Sequence, residues 1–299
     1  MIINTNLPDI MHQGKVRDTY AVDDETLLMV ATDRISAFDV ILPAGIPRKG
    51  QILNRISAFW FEKTKDIVPN HFLCLADSPD LKSNFGDNPL LATLPSEIAR
   101  QAMIVKRAER IDIECIVRGY ITGQAWLEYQ RNGTVWGLSM PSGMLEGTPF
   151  PEPLFTPTNK AEEGHDVNIT QDQVEDIVGK ELAKELEVVS KKIYSFAEQH
   201  SRQRGIILAD TKLEFGLLDG KLILIDELIT PDSSRFWNAE GYSPGKSQPN
   251  YDKQFVRDYL SGQGWNQKPP APQLPKDVIE KTTQRYTEAY KLLTGESIS

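Results

Sequence analysis

Asp210, Lys212 and Glu214 alternate with Thr211, Leu213 and Phe215. Side chains in a strand point to opposite faces with period two. The three charges therefore share one face, and Leu213, Phe215 and Leu217 take the other. Alone, such a face reads equally well as the solvated side of a sheet. The next apolar run changes the odds. Lys221 to Ile229 is Lys-Leu-Ile-Leu-Ile-Asp-Glu-Leu-Ile, so Asp226 and Glu227 interrupt it. A buried carboxylate is expensive unless it is paired or binds a metal. Asp219-Gly220 between the runs is a strong hairpin signal. A strict two-residue turn pairs Leu218 with Lys221 and sets Glu214 opposite Ile225. One extra loop or bulge residue sets Glu214 opposite Asp226 instead, and bulges are frequent beside active sites. We expect the shifted register, with Glu214 and Asp226 sharing a Mg²⁺. That ion is typically held by one or two carboxylates plus phosphate oxygens.

The hairpin leads into Thr230-Pro-Asp-Ser-Ser-Arg235. An Arg beside hydroxyls suits phosphate or carboxylate, which a guanidinium binds bidentately. By itself the segment reads more simply as a turn with a surface Arg. Near the start, Gly14-Lys15-Val-Arg17 sets a Gly beside two cations, a weak pattern for a loop over phosphates. There is no Walker A, because Gly245-Lys246-Ser247 has Glu at 240 where a Gly is needed. There is no G-x-G-x-x-G, and the kinase H-R-D triplet is missing. These absences argue against P-loop, Rossmann and ordinary protein-kinase enzymes. The four histidines are scattered, and His165 stands out only for its polar setting, Lys160 to Asp166.

The elements that must position these residues are of mixed type. Thr26 to Ala31 and the alternating Met103 to Ile121 read as strands, and Ser57 to Lys65 as a short helix. Pro141 to Pro157 is too punctuated for either. Thr170 with Gln173 forms a capping-box pattern. It opens one long helix carrying Val174, Ile177, Val178, Leu182, Leu186, Val189 and Ile193, with Gly205 beyond its end. Residues 206 to 229 form the hairpin. Gln267 to Pro275 holds four prolines in nine residues and reads as a stiff connector. Asp277 with Glu280 then caps an amphipathic helix with Ile279, Tyr286, Ala289, Tyr290 and Leu293. Mixed order implies an α+β fold rather than strict βαβ alternation.

Composition bounds the partners. The 299 residues include 33 Lys plus Arg against 42 Asp plus Glu, a net charge of −9. That disfavours nucleic acid and anionic membranes. Two cysteines, Cys74 and Cys115, read as small buried hydrophobes. Met1 to Gly14 lacks a signal-peptide pattern, and no run approaches the ~18 apolar residues of a membrane span. A cytoplasmic, reduced protein is expected, with a monomer as the working assumption.

Five blocks bring these pieces together: Gly14-Lys-Val-Arg-Asp, Ala31-Thr-Asp-Arg-Ile-Ser-Ala-Phe-Asp39, Glu114-Cys-Ile-Val-Arg118-Gly-Tyr, Asp210-Thr-Lys-Leu-Glu-Phe-Gly216 and Asp226-Glu-Leu-Ile-Thr-Pro-Asp-Ser-Ser-Arg235. In this order they resemble the SAICAR synthetase family, of the longer form, over nearly the whole chain. The resemblance implies an ATP-grasp-related α+β fold with two sheet-containing lobes around a nucleotide cleft, plus a C-terminal helix. It divides the chain into a β-rich lobe with the phosphate-covering loop (1–115), an ATP-grasp-like lobe with the metal hairpin (116–265), and the connector with its helix (266–299). It implies an ATP- and Mg²⁺-dependent ligase of purine biosynthesis joining L-aspartate to carboxyaminoimidazole ribonucleotide (CAIR). Lys15, Arg17, Lys106, Glu114 and Lys160 would bind ATP. Asp39, Arg118, Ser234, Arg235, His165 and Asp166 would bind substrate. Asp210 and Lys212 would lie where aspartate meets an acyl phosphate, and Glu214 and Asp226 would hold the metal. Gln124 departs from the family's usual Ser, and its amide can still donate to a phosphate.

Three other classes share parts of this pattern. A small-molecule kinase could use the same carboxylates and loop. A non-catalytic nucleotide-binding module need not keep Lys15, Lys212, Glu214, Asp226 and Arg235 together. An acidic scaffold is permitted by composition alone.

Overall fold

The structure, a computed structural model, describes residues 1–159 and 167–298. The first half opens with β1 (Ile10–Gln13), β2 (Arg17–Ala21) and β3 (Thr26–Ala31), joined as successive antiparallel hairpins. A separate hairpin, β4 (Arg34–Ala37) and β5 (Val40–Gly45), leads to helix α1 (Lys49–Thr64). Then β6 (Phe72–Leu75), the short helices α2 (Pro79–Phe85), α3 (Pro89–Ala92) and α4 (Ser96–Ala99), and β7 (Ala102–Lys106) complete an antiparallel sheet in the order β1-β2-β3-β7-β6.

The second sheet is built on two long strands. After β8 (Glu109–Tyr120) come α5 (Gln124–Asn132), the small hairpin β9 (Thr134–Val135) and β10 (Leu138–Ser139), and β11 (Pro149–Phe155). The strands β12 (Thr158–Asn159) and β13 (Val167–Asn168) precede helices α6 (Gln171–Val178) and α7 (Lys180–Arg202). Next are β14 (Ile206–Leu218), β15 (Lys221–Ile225), β16 (Ser234–Asn238), α8 (Gln254–Gly262) and α9 (Lys276–Thr294). The sheet order is β13-β12-β8-β14-β15, with β11 also on β8 and β16 also on β14. This is the expected α+β mixture.

One apolar core joins the two sheets. It takes Ile52, Ile56, Trp60 and Phe61 from α1, Leu186, Ile193 and Ala197 from α7, Leu213 and Phe215 from β14, and Tyr286, Ala289 and Leu293 from α9. The apolar stripe on α7 faces β8 and β14, so charged β14 residues take the other side.

Several expectations need correction. The Met103 to Ile121 stretch is two strands in different sheets, so an expected lobe boundary at residue 115 falls inside β8. The first helix begins at Lys49, well before Ser57. Its Gly50 lies so close to β3 that a Cβ would sit 2.1 Å from the carbonyl oxygen of Ala31. The Thr170 capping box is present, but the long helix breaks at Gly179, whose φ of 83° ends α6. That break leaves Ile177 exposed. Asp277 and Glu280 do not cap α9: Pro275 precedes it, without a side-chain cap. Cys74 and Cys115 are buried and unbridged, as expected.

Candidate active site

The hairpin register is the strict one. Leu218 pairs with Lys221 and Glu214 with Ile225, across an Asp219-Gly220 turn with positive φ at both residues. The expected shift that would set Glu214 opposite Asp226 is absent. β15 instead ends at Ile225, and Asp226 takes a φ of 64°. A left-handed residue breaks the period-two alternation that would have sent Asp226 to the apolar side. The bulges lie on the other pairings of β14, between Leu208 and Asp210 against β16 and between Glu214 and Gly216 against β8.

β8 and β14 face each other with Arg118 opposite Asp210, Ile116 opposite Lys212 and Glu114 opposite Glu214. Arg118 Nη1 donates to Asp210 Oδ2 at 2.8 Å, and its Nε donates to Thr156 Oγ1 at 3.1 Å. Arg235, from β16, bonds the same Asp210 oxygen. Burial resists ionisation of Asp210, but the two guanidinium ions outweigh it and hold the carboxyl below its ordinary value. Burial lowers Arg118 to about 10, with Asp210 opposing that shift. Lys212 donates to Glu114 Oε1 at 2.9 Å and also bonds Glu214. Burial disfavours its charge, yet these carboxylates lift it well above its ordinary value. Asp210, Lys212 and Glu214 do share a face, as their spacing predicts.

A cavity of about 150 Å³ lies against this face. Arg118, Asp210, Lys212, Ser234, Arg235 and Arg257 line it, with Asp232 and Ser233. Ser234 Oγ lies 2.8 Å from Thr211 Oγ1, which fixes the hydroxyl at the wall. Beside Arg235, α5 is preceded by Gly123, whose φ is 57°. A Cβ there would sit 2.8 Å from Arg235 Nη2, so a side chain would displace the guanidinium. The N-terminus of a helix next to an Arg is a natural seat for phosphate. Gln124 stands exposed at the first position of α5.

The phosphate-loop residues separate. Arg17 bonds Asp226 and lies 3.4 Å from Glu227 Oε2. Burial opposes its charge, and Asp226 and Glu227 more than restore it. Asp226 and Glu214 both act electrostatically on Arg17 and on Lys212, so the two carboxylates border one charged patch. Lys15 instead pairs with Asp39, in the left-handed turn between β4 and β5. Both line a groove of about 580 Å³ that Pro269, Pro270 and Ala271 of the connector also border. Glu114 is buried and accepts from Thr158 Oγ1 at 3.0 Å. Lys106 is exposed at the end of β7. Lys160, His165 and Asp166 lie outside the described residues.

Sequence reasoning missed a buried charge cluster under the cavity. Lys49 of α1 lies 2.7 Å from Asp232 Oδ2, and Lys253, just before α8, lies 3.1 Å from the same oxygen. Tyr286 of α9 donates to Asp232 Oδ1 at 2.8 Å. Burial raises the cost of ionising Asp232, but the two ammonium groups hold its carboxyl far below its ordinary value. Arg257, also missed, stands one helical turn after Lys253, and that i,i+4 spacing of cations was a readable signal. Nothing in the local sequence marks Lys49.

The sequence model of the SAICAR synthetase family matches residues 10–272. The chain belongs to the SAICAR synthetase family. It is 50% identical over 298 residues to the phosphoribosylaminoimidazole-succinocarboxamide synthase of Thermodesulfovibrio yellowstonii, covering 99% of each chain. The structure of the SAICAR synthase of Saccharomyces cerevisiae complexed with SAICAR matches with a TM-score of 0.86 and 42% identity, covering 100% of each chain. A SAICAR synthetase in complex with ADP shares the fold at a TM-score of 0.69 and 23% identity, over 96% of this chain and 99% of that one. Among the described residues of this SAICAR synthetase family member, no helix is long and apolar enough to cross a membrane.

Proposed function

We propose that this chain is the ATP-dependent carbon–nitrogen ligase that joins L-aspartate to the carboxylate of CAIR, giving SAICAR, ADP and phosphate in purine biosynthesis. The observation that carries this reading is the convergence of Arg118, Lys212, Arg235 and Arg257 on one cavity in a chain of net charge −9. Local charge, not the total, sets the sign of a pocket.

A carboxylate is a poor electrophile for an amine. Transfer of the γ-phosphoryl group from ATP to the CAIR carboxylate breaks the bond to ADP and forms an acyl phosphate. The aspartate amine then attacks the acyl carbon, the C–N bond forms, and phosphate leaves. Such transfers depend mainly on positioning and charge neutralisation. Arg118, Ser234 and Arg235 would seat the ribonucleotide phosphate beside the start of α5, with Gln124 at its rim. Lys212, held protonated, would neutralise charge on the transferring phosphoryl group. Asp210, held ionised between two arginines, organises them and is unsuited to carry a proton near neutral pH. Lys15, Arg17, Lys106 and Glu114 would contact ATP, Lys15 exchanging its Asp39 partner for phosphate, and Asp39 would meet the aminoimidazole.

Glu214 and Asp226 would hold Mg²⁺. Their chemistry fits: both are carboxylates already facing the cations Lys212 and Arg17. Among the described residues no group of three or more His, Cys, Asp or Glu could enclose a metal, so phosphate oxygens and water would complete its shell. Bound there, the ion would neutralise charge on the ATP phosphates.

Phosphate release from ATP and CAIR, measured with and without aspartate, tests this reading. Release that requires aspartate is expected. Equal ATP turnover without it would make the chain a kinase instead.

A further inference from the structure

The Arg118 guanidinium lies over the Trp136 ring, with its central carbon 4.5 Å from the ring centroid. The ring is held from outside the cavity. Glu128, on α5, accepts from Thr134 Oγ1 at 2.7 Å, from the Trp136 backbone N–H at 3.0 Å and from the Gly137 N–H at 3.1 Å. That clamp fixes a tight turn in which Trp136 has a φ of 50° and Gly137 one of 74°. A non-glycine residue enters this region only where its surroundings hold it there. Around the ring pack Ile121, Ala125, Val135 and Phe150. The buried indole N–H has no hydrogen-bond partner among the described residues. A buried Trp usually satisfies that group, so the ring sits where its face, and not its polar edge, is used.

Arg118 is held on two sides. One edge is tied to Asp210 and Thr156, and one face is covered by the indole. The edge contacts set where the guanidinium sits, and the ring covers one face and limits how far it can tilt. A cation over a Trp face is attracted most strongly when desolvated, and Arg118 is buried.

We infer that Trp136 is a positioning residue for the ribonucleotide end of the site, its ring orienting Arg118 and Glu128 orienting the ring. This rests on the reading that Arg118 binds the ribonucleotide phosphate. One helix then serves the site twice. The start of α5 faces the phosphate, and a carboxylate one turn further on governs the arginine beside it.

Steady-state kinetics of the full chain test this. W136A raises the CAIR KM about 3- to 30-fold while leaving the ATP KM and kcat near their original values. W136F, which restores an aromatic face, brings the CAIR KM back to within about 3-fold. E128Q shifts the same constant in the same direction. CAIR titration changes the intrinsic fluorescence, and the change shrinks in W136F. Should W136A fail to fold, W136L takes its place, filling the space without a π face. An unchanged CAIR KM in W136A or W136L overturns the inference, as does a W136F no better than W136A. R118A is the control for the underlying reading: if it leaves the CAIR KM unaltered, the assignment of Arg118 fails, whatever Trp136 does.

Discussion

Arg118 and Arg235 bond the same oxygen, Oδ2 of Asp210. They come from different strands on either side of β14, so one carboxylate gathers two cations from positions 117 residues apart (235 − 118). A dianionic phosphate seated in the cavity, as proposed, would meet a pair already assembled.

Arg235→Ala removes one of that pair. A lost charge-assisted contact costs about 1.5–3 kcal/mol, so the CAIR KM should rise about 10- to 150-fold with little change in the ATP KM. Initial-rate measurements with each substrate varied in turn decide it. Equal effects on both constants would move Arg235 out of the ribonucleotide site.

Asp226→Asn keeps the shape and one acceptor oxygen but loses the charge. If Asp226 holds Mg²⁺, several kcal/mol of charge stabilisation disappear, and kcat falls at least about 100-fold. Circular dichroism should show the fold intact. Near-normal turnover at saturating Mg²⁺ would overturn the metal role and leave Asp226 a structural partner of Arg17.

Asp232→Asn leaves Lys49 and Lys253 buried without their shared counter-charge. Breaking a buried pair costs about 3–5 kcal/mol, so the melting temperature should fall by roughly 6–20 °C. Tyr286→Phe removes one hydrogen bond to the ionised carboxylate, costs about 1.5–3 kcal/mol, and leaves the ion pairs. Thermal melts that rank the two variants in the opposite order would show that the phenol, not the ion pairs, holds the loop.

Asp252 supplies a pH signature. It accepts from the backbone N–H groups of Phe236 at 3.0 Å and Gln254 at 2.7 Å. Burial nevertheless raises its carboxyl to about 6, against the pull of those bonds and of Arg257 and Arg235. A carboxyl raised on folding contributes stability below its unfolded value of about 3.9, and that contribution is lost as pH rises through about 6. Wild-type stability should therefore fall across this window relative to Asp252→Asn. Denaturant titrations at pH 4 and pH 7 measure the difference, and parallel curves would rule out this group as the source.

The part of the site that lies along single strands was legible in advance. Period two placed Asp210, Lys212 and Glu214 on one face, and Asp219-Gly220 placed the turn. What was not legible needed three dimensions. The left-handed Asp226 ends a strand whose composition continues to Ile229, so local propensity argues against the break. Gly179 splits a helix whose apolar spacing runs straight through it. Lys49 and Asp232 lie 183 residues apart (232 − 49) and meet only because α1 packs beneath the cavity loop. The Trp136 stack joins a turn to a distant strand and leaves no periodic trace. The five blocks that point to the family include Asp232 but none of the three residues that hold it.

The hydroxyl that holds Asp232 belongs to α9, and α9 lies wholly beyond residue 272, where the family match ends. A chain growing on the ribosome therefore makes Arg118, Asp210, Arg235 and both lysines that pair with Asp232 before Tyr286 can add its hydrogen bond to that carboxylate. Synthesis that stops short of α9 yields a protein with every proposed substrate contact encoded and Asp232 still paired with Lys49 and Lys253, but without the Tyr286 hydroxyl and without the α9 side chains of the shared core.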